Sequence, residues 1–269
     1  MLKSRIILLV ISSLVVVGLF FLPRVVVEND QEISSVAGDS AGASSQLHAP
    51  VSTDISNRIR ELRAAFSGNS RNEKNAIFAD SLAKLYADAA RFDSAAWFAE
   101  QAAKFFNNEV SWSKAAEVYY QAYNFAVDAK KQAAYAVKAR EYFDKVLTVN
   151  PTDLEAKTKL AMTYLSDANP MQAITTLREV LAQDPDNKLA LYNMGMLSIQ
   201  SGQYDRAVER LGRLVEIDQE NTQAHLLLGI AYMNSGKRKK ARAEFEKVKL
   251  LDSDPAVQAT ADSYLKDLK

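Results

Sequence analysis

"KLALYNMGMLSIQSGQYDRAVERLGRLVEIDQEN", Lys188–Asn221, is the stretch on which the fold turns. Its opening half has helical spacing, yet it carries Gly195, and a glycine inside a helix costs about 1 kcal/mol relative to alanine. Such a residue is expected where another backbone element comes very close. Gly202, seven residues on, sits at a point where a helix must stop and the chain turn. Helical periodicity resumes at Tyr204, so the stretch predicts two short helices folded around a turn, with Gly195 admitting the second helix against the first.

The same arrangement recurs on both sides. "LEAKTKLAMTYLSDANPMQAITTLREVLAQDPDN" from Leu154 and "TQAHLLLGIAYMNSGKRKKARAEFEKVKLLDSDP" from Thr222 align with it without gaps at a period of 34 residues. The boundaries carry chemical signals: capping-box spacing at Thr152 and Glu155, an N-cap followed by proline at Asn169–Pro170 and at Asp254–Pro255, and Gly236 as the counterpart of Gly202. Upstream, "LAKLYADAARFDSAAWFAEQAAKFFNN" fits one more unit. Between it and Leu154, Trp112, Ala115, Ala116 and Tyr119 suit a first helix and Ala139, Phe143 and Val146 a second. About eleven extra residues separate these two sets, which predicts a unit with both helices lengthened.

This pattern resembles the tetratricopeptide repeat family. The resemblance rests on Leu160, Ala161 and Tyr164 with Ala173, Leu177, Val180 and Pro185; on Met194, Gly195, Tyr204, Ala207 and Leu211; and on Leu228, Gly229, Tyr232, Gly236, Ala241, Phe245 and Val248. It departs from the family pattern at the aromatic slot opening each unit, which holds Lys157, Leu191 and His225, and at Gln219 in place of a late proline. The expected fold is all-α, an antiparallel helix-hairpin solenoid. Its parts are an N-terminal helix and loop at 54–75, units at 76–109, 110–153 (extended), 154–187, 188–221 and 222–255, and a capping helix at 256–269.

The N-terminus has a different character. Ile6 to Leu22 holds no charge, follows Lys3 and Arg5, and ends at Pro23 and Arg24; these 17 residues span about 25 Å as a helix, enough to cross a hydrocarbon core. The first small-x-small site, Ala41–Ala43, lies too far downstream for a cleaved signal, and with no cysteine there is no lipoprotein anchor. An uncleaved transmembrane signal anchor at 1–27 is therefore expected. The basic residues preceding it place the remainder on the extracytoplasmic side of an inner membrane, periplasmic in a bacterium. Residues 28–53, rich in Ser, Gly, Ala and acids, read as a flexible tether.

Composition removes several functions. The 33 basic and 33 acidic residues balance, so no overall field favours nucleic acid. Without cysteine, and with His48 in the tether and His225 in a packing slot, there is no histidine-based triad, no clustered metal site and no cofactor motif; "SGQYDRA" lacks the strand and lysine of a phosphate loop. Glu244 and Glu246 read as a solvated helix face. No catalytic residue is expected, and no enzyme.

Binding is better supported. Leu191, Met194, Gly195 and Ser198 face the inside of their repeat, but Leu189, Tyr192, Met196 and Ile199 recur at helical spacing on another side. Thr158, Met162 and Leu165 repeat that second face in the preceding unit and Leu226, Ile230 and Met233 in the following one. The family resemblance implies that this face lines a concave groove taking extended or helical peptides, here apolar and edged by Gln200, Gln223 and Asn234. The chaperone-binding branch of that family clamps a terminal carboxylate with Lys, Arg and Asn, a pattern not present at these positions. The expected function is a membrane-tethered scaffold for a protein or peptide client. The alternatives are an assembly factor resembling the membrane-anchored tetratricopeptide subunits of cytochrome c maturation, or a homo-oligomer in an envelope complex. The run "GKRKKAR", Lys237 to Arg242, is left over: it opens a helix whose dipole disfavours positive charge.

Overall fold

The computed structural model describes residues 52–66, 72–167 and 170–268. Within them the helices are α1 (Thr53–Ala65), α2 (Glu73–Asp88), α3 (Phe92–Phe106), α4 (Glu109–Phe125), α5 (Ala129–Val149), α6 (Leu154–Thr163), a 3-10 turn (Tyr164–Asp167), α7 (Pro170–Gln183), α8 (Lys188–Gln200), α9 (Tyr204–Ile217), α10 (Thr222–Asn234), α11 (Arg238–Leu251) and α12 (Pro255–Asp267). No strand occurs among the described residues. Each helix packs on the next in sequence, and α2–α3, α4–α5, α6–α7, α8–α9 and α10–α11 are hairpins stacked as a solenoid. No helix among the described residues is long and apolar enough to cross a membrane. The anchor expected at 1–27, the tether up to residue 51 and Asn169 lie outside them.

Polar caps start the first helices. Asp153, Asn187 and Asn221, spaced at the repeat period, each accept a hydrogen bond from the backbone N–H three residues on, at 2.9, 3.0 and 2.9 Å. The cap of α6 is thus Asp153 and not Thr152, whose hydroxyl donates instead to Asn150 Oδ1 at 3.0 Å. Glu155, freed from the expected capping box, accepts from Lys159 at 2.8 Å. Asp254 caps α12 with Pro255 in its first turn. Gly202 and Gly236 close the hairpins at φ 72° and 75°, a left-handed conformation in which a side chain would be strained.

The close approach foreseen at Gly195 is real. A Cβ there would lie 2.5 Å from Leu211 Cγ on α9, and one at Gly229 would lie 2.6 Å from Phe245 on α11. The first helix of each of these repeats therefore rests directly on a large side chain of the second. Leu211 and Phe245 are fully buried, as is Leu177 against Ala161 in the preceding repeat.

The extended repeat has 17 residues in α4 and 21 in α5, against 13 and 14 in α10 and α11. Ala115 and Ala116 keep the places in α4 that Leu228 and Gly229 keep in α10, so the extra turn of α4 is at its C-terminal end. Ala139, Phe143 and Val146 lie correspondingly late in α5, so its extra turns are at its N-terminal end. Both extensions meet at the hairpin turn, which stands proud of the others by roughly 6–10 Å at 1.5 Å per residue. A buried polar knot ties this repeat to its neighbour: Glu100 accepts from Tyr119 at 2.8 Å and Lys138 at 2.9 Å and pairs with Lys104 at 3.2 Å.

Antiparallel stacking sorts the turns. Those inside hairpins lie along one edge of the solenoid, linked by Lys131–Asp93, Arg140–Asp167 and Lys237–Asp205. The links between repeats lie along the other, joined by Arg213–Asp186 and Lys188–Asp218.

Candidate protein-interaction groove

The first helices α2, α4, α6, α8 and α10 line one face, and two slots per helix, four residues apart, point across it. In α8 these hold Tyr192 and Met196; in α10, Leu226 and Ile230. Both pairs are half-buried, as are Leu189, Ile199 and Met233, while Gln200, Gln223 and Asn234 are exposed. Asn234 donates to the Ile230 carbonyl of its own helix at 2.9 Å.

The row is not wholly free of the core. Met196 packs on the cluster containing Met162 and Met194, Tyr192 and Ile199 on that of Leu191, Leu211 and Leu228, and Leu226, Ile230 and Met233 on that of Phe245 and Leu268. Their buried sides close the seams between repeats, and the rest of each side chain stays open to solvent. Burial pushes the Tyr192 phenol above the ordinary tyrosine value.

In the preceding repeat two expected groove residues are shut away. Thr158 is fully buried and its hydroxyl donates to the Leu154 carbonyl at 2.7 Å; Met162 is 6% exposed. The lengthened α4 covers Met162, since Tyr123 donates to the Met162 carbonyl at 3.1 Å and Tyr120 packs on the same cluster. Leu165, in the 3-10 turn, stays half-buried. Of the side chains expected to line the groove, these two cannot touch a ligand without repacking.

Upstream the groove changes character. A cleft of about 730 Å³ is lined by Asp80, Lys84, Lys114, Glu117, Gln121 and Lys159, among others. Lys114 bonds both Asp80 oxygens at 2.8 Å, and Lys159 bridges Glu117 at 2.5 Å and Glu155 at 2.8 Å. Burial alone would lower the Lys159 ammonium, but the hydrogen bonds from these two carboxylates outweigh it and hold the pKa above the usual lysine value. Sequence reasoning passed over this cleft, although Asp80, Lys84 and Glu117 stand in the slots that Tyr192 and Met196 fill in α8. Once Leu82, Ala83, Ala115 and Ala116 had set the register, those neighbours were legible.

Glu244 is not part of a solvated face. Its Oε2 lies 2.7 Å from His225 Nδ1, and His225 Nε2 lies 3.1 Å from the Gln219 carbonyl oxygen. The buried ring is thus held from both of its nitrogens. It fills the slot where the repeat ordinarily carries an aromatic side chain and ties α10 to α11.

Known proteins bear on this geometry. A tetratricopeptide repeat model matches residues 136–194, 165–223 and 198–261. A DnaJ homolog subfamily C member 3 of Gallus gallus is 23% identical over 150 residues, 51% of this chain and 30% of that protein, so the chain spans less than a third of that relative's length. A solved tetratricopeptide repeat protein from Parabacteroides merdae superposes with a TM-score of 0.58 at 18% identity, over 80% of this chain and 82% of its own. PilW, a type IV pilus biogenesis factor, gives 0.55 at 17% identity, over 77% and 90%. These likenesses concern the helical-repeat fold, and the matching family model describes a repeat rather than an enzyme.

Proposed function

We infer that this chain, whose tetratricopeptide repeats form a protein-interaction scaffold, is tethered to an inner membrane by its N-terminal apolar segment and holds its repeats on the extracytoplasmic side. The client is a polypeptide segment with apolar side chains, laid along α8 and α10 and continuing toward the charged cleft of α2 and α4. The observation that carries this is the row of Tyr192, Met196, Ile199, Ile230 and Met233, half-buried in the seams between repeats with the rest of each side chain open to solvent. The unbranched Met196 and Met233 in this row adapt to irregular apolar ligands. The balanced pairs of the upstream cleft suit polar side chains of either sign.

The test is a capture experiment with the full chain in detergent, compared with a variant carrying Tyr192→Glu, Met196→Glu and Ile230→Glu and checked for unchanged helicity. A bound polypeptide recovered with the wild type and lost with the variant is expected. Equal recovery by both sinks the groove. Membrane tethering is tested separately by flotation with neutral phospholipid vesicles, and orientation by a topology reporter fused after Lys269.

A further inference from the structure

The basic run at Lys237 to Arg242 has no part in the groove, and the structure places it on the hairpin-turn edge with other features of one kind. Along that edge Asp93, Asp167 and Asp205 are each held in an ion pair and Asp128 caps α5; among the described residues, Asp88 is the one acid at these turns outside any ion pair or cap. Arg91, Lys130, Arg206, Arg238 and Lys239 form no ion pair, and Lys240 lies 5.4 Å over the Tyr232 ring. The first turn of α11 thus presents three cations and no acid at the positive end of its dipole, with no side-chain cap on the helix. Beyond the Lys237–Asp205 pair and the Tyr232 ring, no acid among the described residues pairs with that turn.

The same edge exposes apolar side chains. The protruding turn between α4 and α5 leaves Phe125 68% and Val127 93% exposed, and Met171, one turn along, is 61% exposed. Phe92 stacks on Phe125 with ring centroids 4.7 Å apart, which props the tip outward. On the opposite edge acids outnumber bases: Asp184, Asp186, Asp218, Glu220, Asp252 and Asp254 crowd its turns, with Arg213 paired to Asp186 and Lys188 to Asp218.

We propose that the hairpin-turn edge docks on an anionic lipid surface, with Phe125 and Val127 entering the headgroup region and the turn of the last hairpin binding phosphate-bearing headgroups through Arg238, Lys239 and Lys240. An apolar tip beside unpaired cations is the combination that interfacial segments use, and their apolar faces sit about 5–10 Å deep, similar to the extra reach of this turn. Basic residues near such a surface gain from its negative potential, whereas the acidic edge would be repelled. The inference rests on the tethered reading, because a linker of about 25 residues spans on the order of 25–30 Å and keeps the repeats within reach of the bilayer. Docking would fix the orientation of the groove relative to the membrane.

The chain has no cysteine, so one probe site can be introduced cleanly. An environment-sensitive fluorophore is placed by Val127→Cys or, on the acidic edge, by Glu220→Cys, in the full chain reconstituted with vesicles of phosphatidylcholine alone or mixed with phosphatidylglycerol. The expected result is a blue shift at 127, with quenching by a lipid-borne quencher, in mixed vesicles only and no response at 220. Arg238→Gln, Lys239→Gln and Lys240→Gln together should lower the docked-to-free ratio on the order of a hundredfold, about fivefold per cation, and added salt should act in the same direction. Equal response in neutral vesicles, equal response at 220, or no effect of the triple substitution overturns the proposal. A shift at 127 that grows with protein concentration in the absence of vesicles also overturns it, in favour of a second copy on this edge. Failure to float with neutral vesicles sinks the anchor instead; flotation with mixed vesicles alone would then support docking without an anchor.

Discussion

Two glycines in one hairpin have opposite roles. Gly195 lies against Leu211, and the Cβ of an alanine would intrude to 2.5 Å, so Gly195→Ala should destabilise by about 1–3 kcal/mol through overpacking. Gly212, on α9, has nothing within 4 Å of an added Cβ, and Gly212→Ala should stabilise by up to about 1 kcal/mol. Urea unfolding of both variants checks the pair; equal signs would refute the packing account. Glu100 makes a second residue-scale case. Burial works to raise its pKa, but hydrogen bonds from Lys138, Tyr119 and Lys104 prevail and hold it below the ordinary carboxylate value. A carboxylate depressed in the folded state contributes stability that is fully present above its unfolded pKa and lost as pH falls through the folded one. Acid unfolding below about pH 4.5 should therefore be shallower in Glu100→Gln, which at neutral pH should be less stable by about 1–3 kcal/mol. Parallel acid titrations of the two proteins would contradict this. The sequence marks Gly195 by itself, as a costly glycine within a helical stretch, whereas Glu100 sits in an Ala-rich helix where only the partners from α4 and α5 reveal it.

At the scale of an element, helix starts follow the repeat period more faithfully than local motifs. Thr152 and Glu155 had the spacing of a capping box, yet Asp153 is the cap because it occupies the slot of Asn187 and Asn221. Asp153→Ala should cost about 1 kcal/mol, and Thr152→Ala much less, measured as thermal stability. The reverse order would restore the capping box. The length of the 110–153 repeat was countable in the sequence, since eleven residues too many stood between two sets of core positions. That both insertions meet at the hairpin turn, and that the taller α4 closes over Met162, follows only from Tyr120 and Tyr123 reaching across to the next repeat.

Across the whole solenoid, stability depends on neighbours, since each repeat buries its faces against the next. Phe245 stacks on Tyr264 at 4.9 Å, and Leu268 completes the cluster beneath Ile230 and Met233. Truncation after Asp254 should leave α10 and α11 uncapped, and amide exchange there should quicken well before that in α2–α5, as local opening would require. Uniform protection in the truncated chain would show that α12 is dispensable. The groove is divided by the same logic into an apolar stretch at α8 and α10 and a charged cleft at α2 and α4. By itself the sequence determined the hairpins, their period, the small residues at the close contacts and the apolar row, because each depends on spacing along one chain. Which side of that row stays open, which expected lining residues are buried, and which charges share an edge were decided by the tertiary structure. Those properties depend on what the neighbouring repeat places opposite a side chain, and residues a full repeat apart meet only when the helices stack.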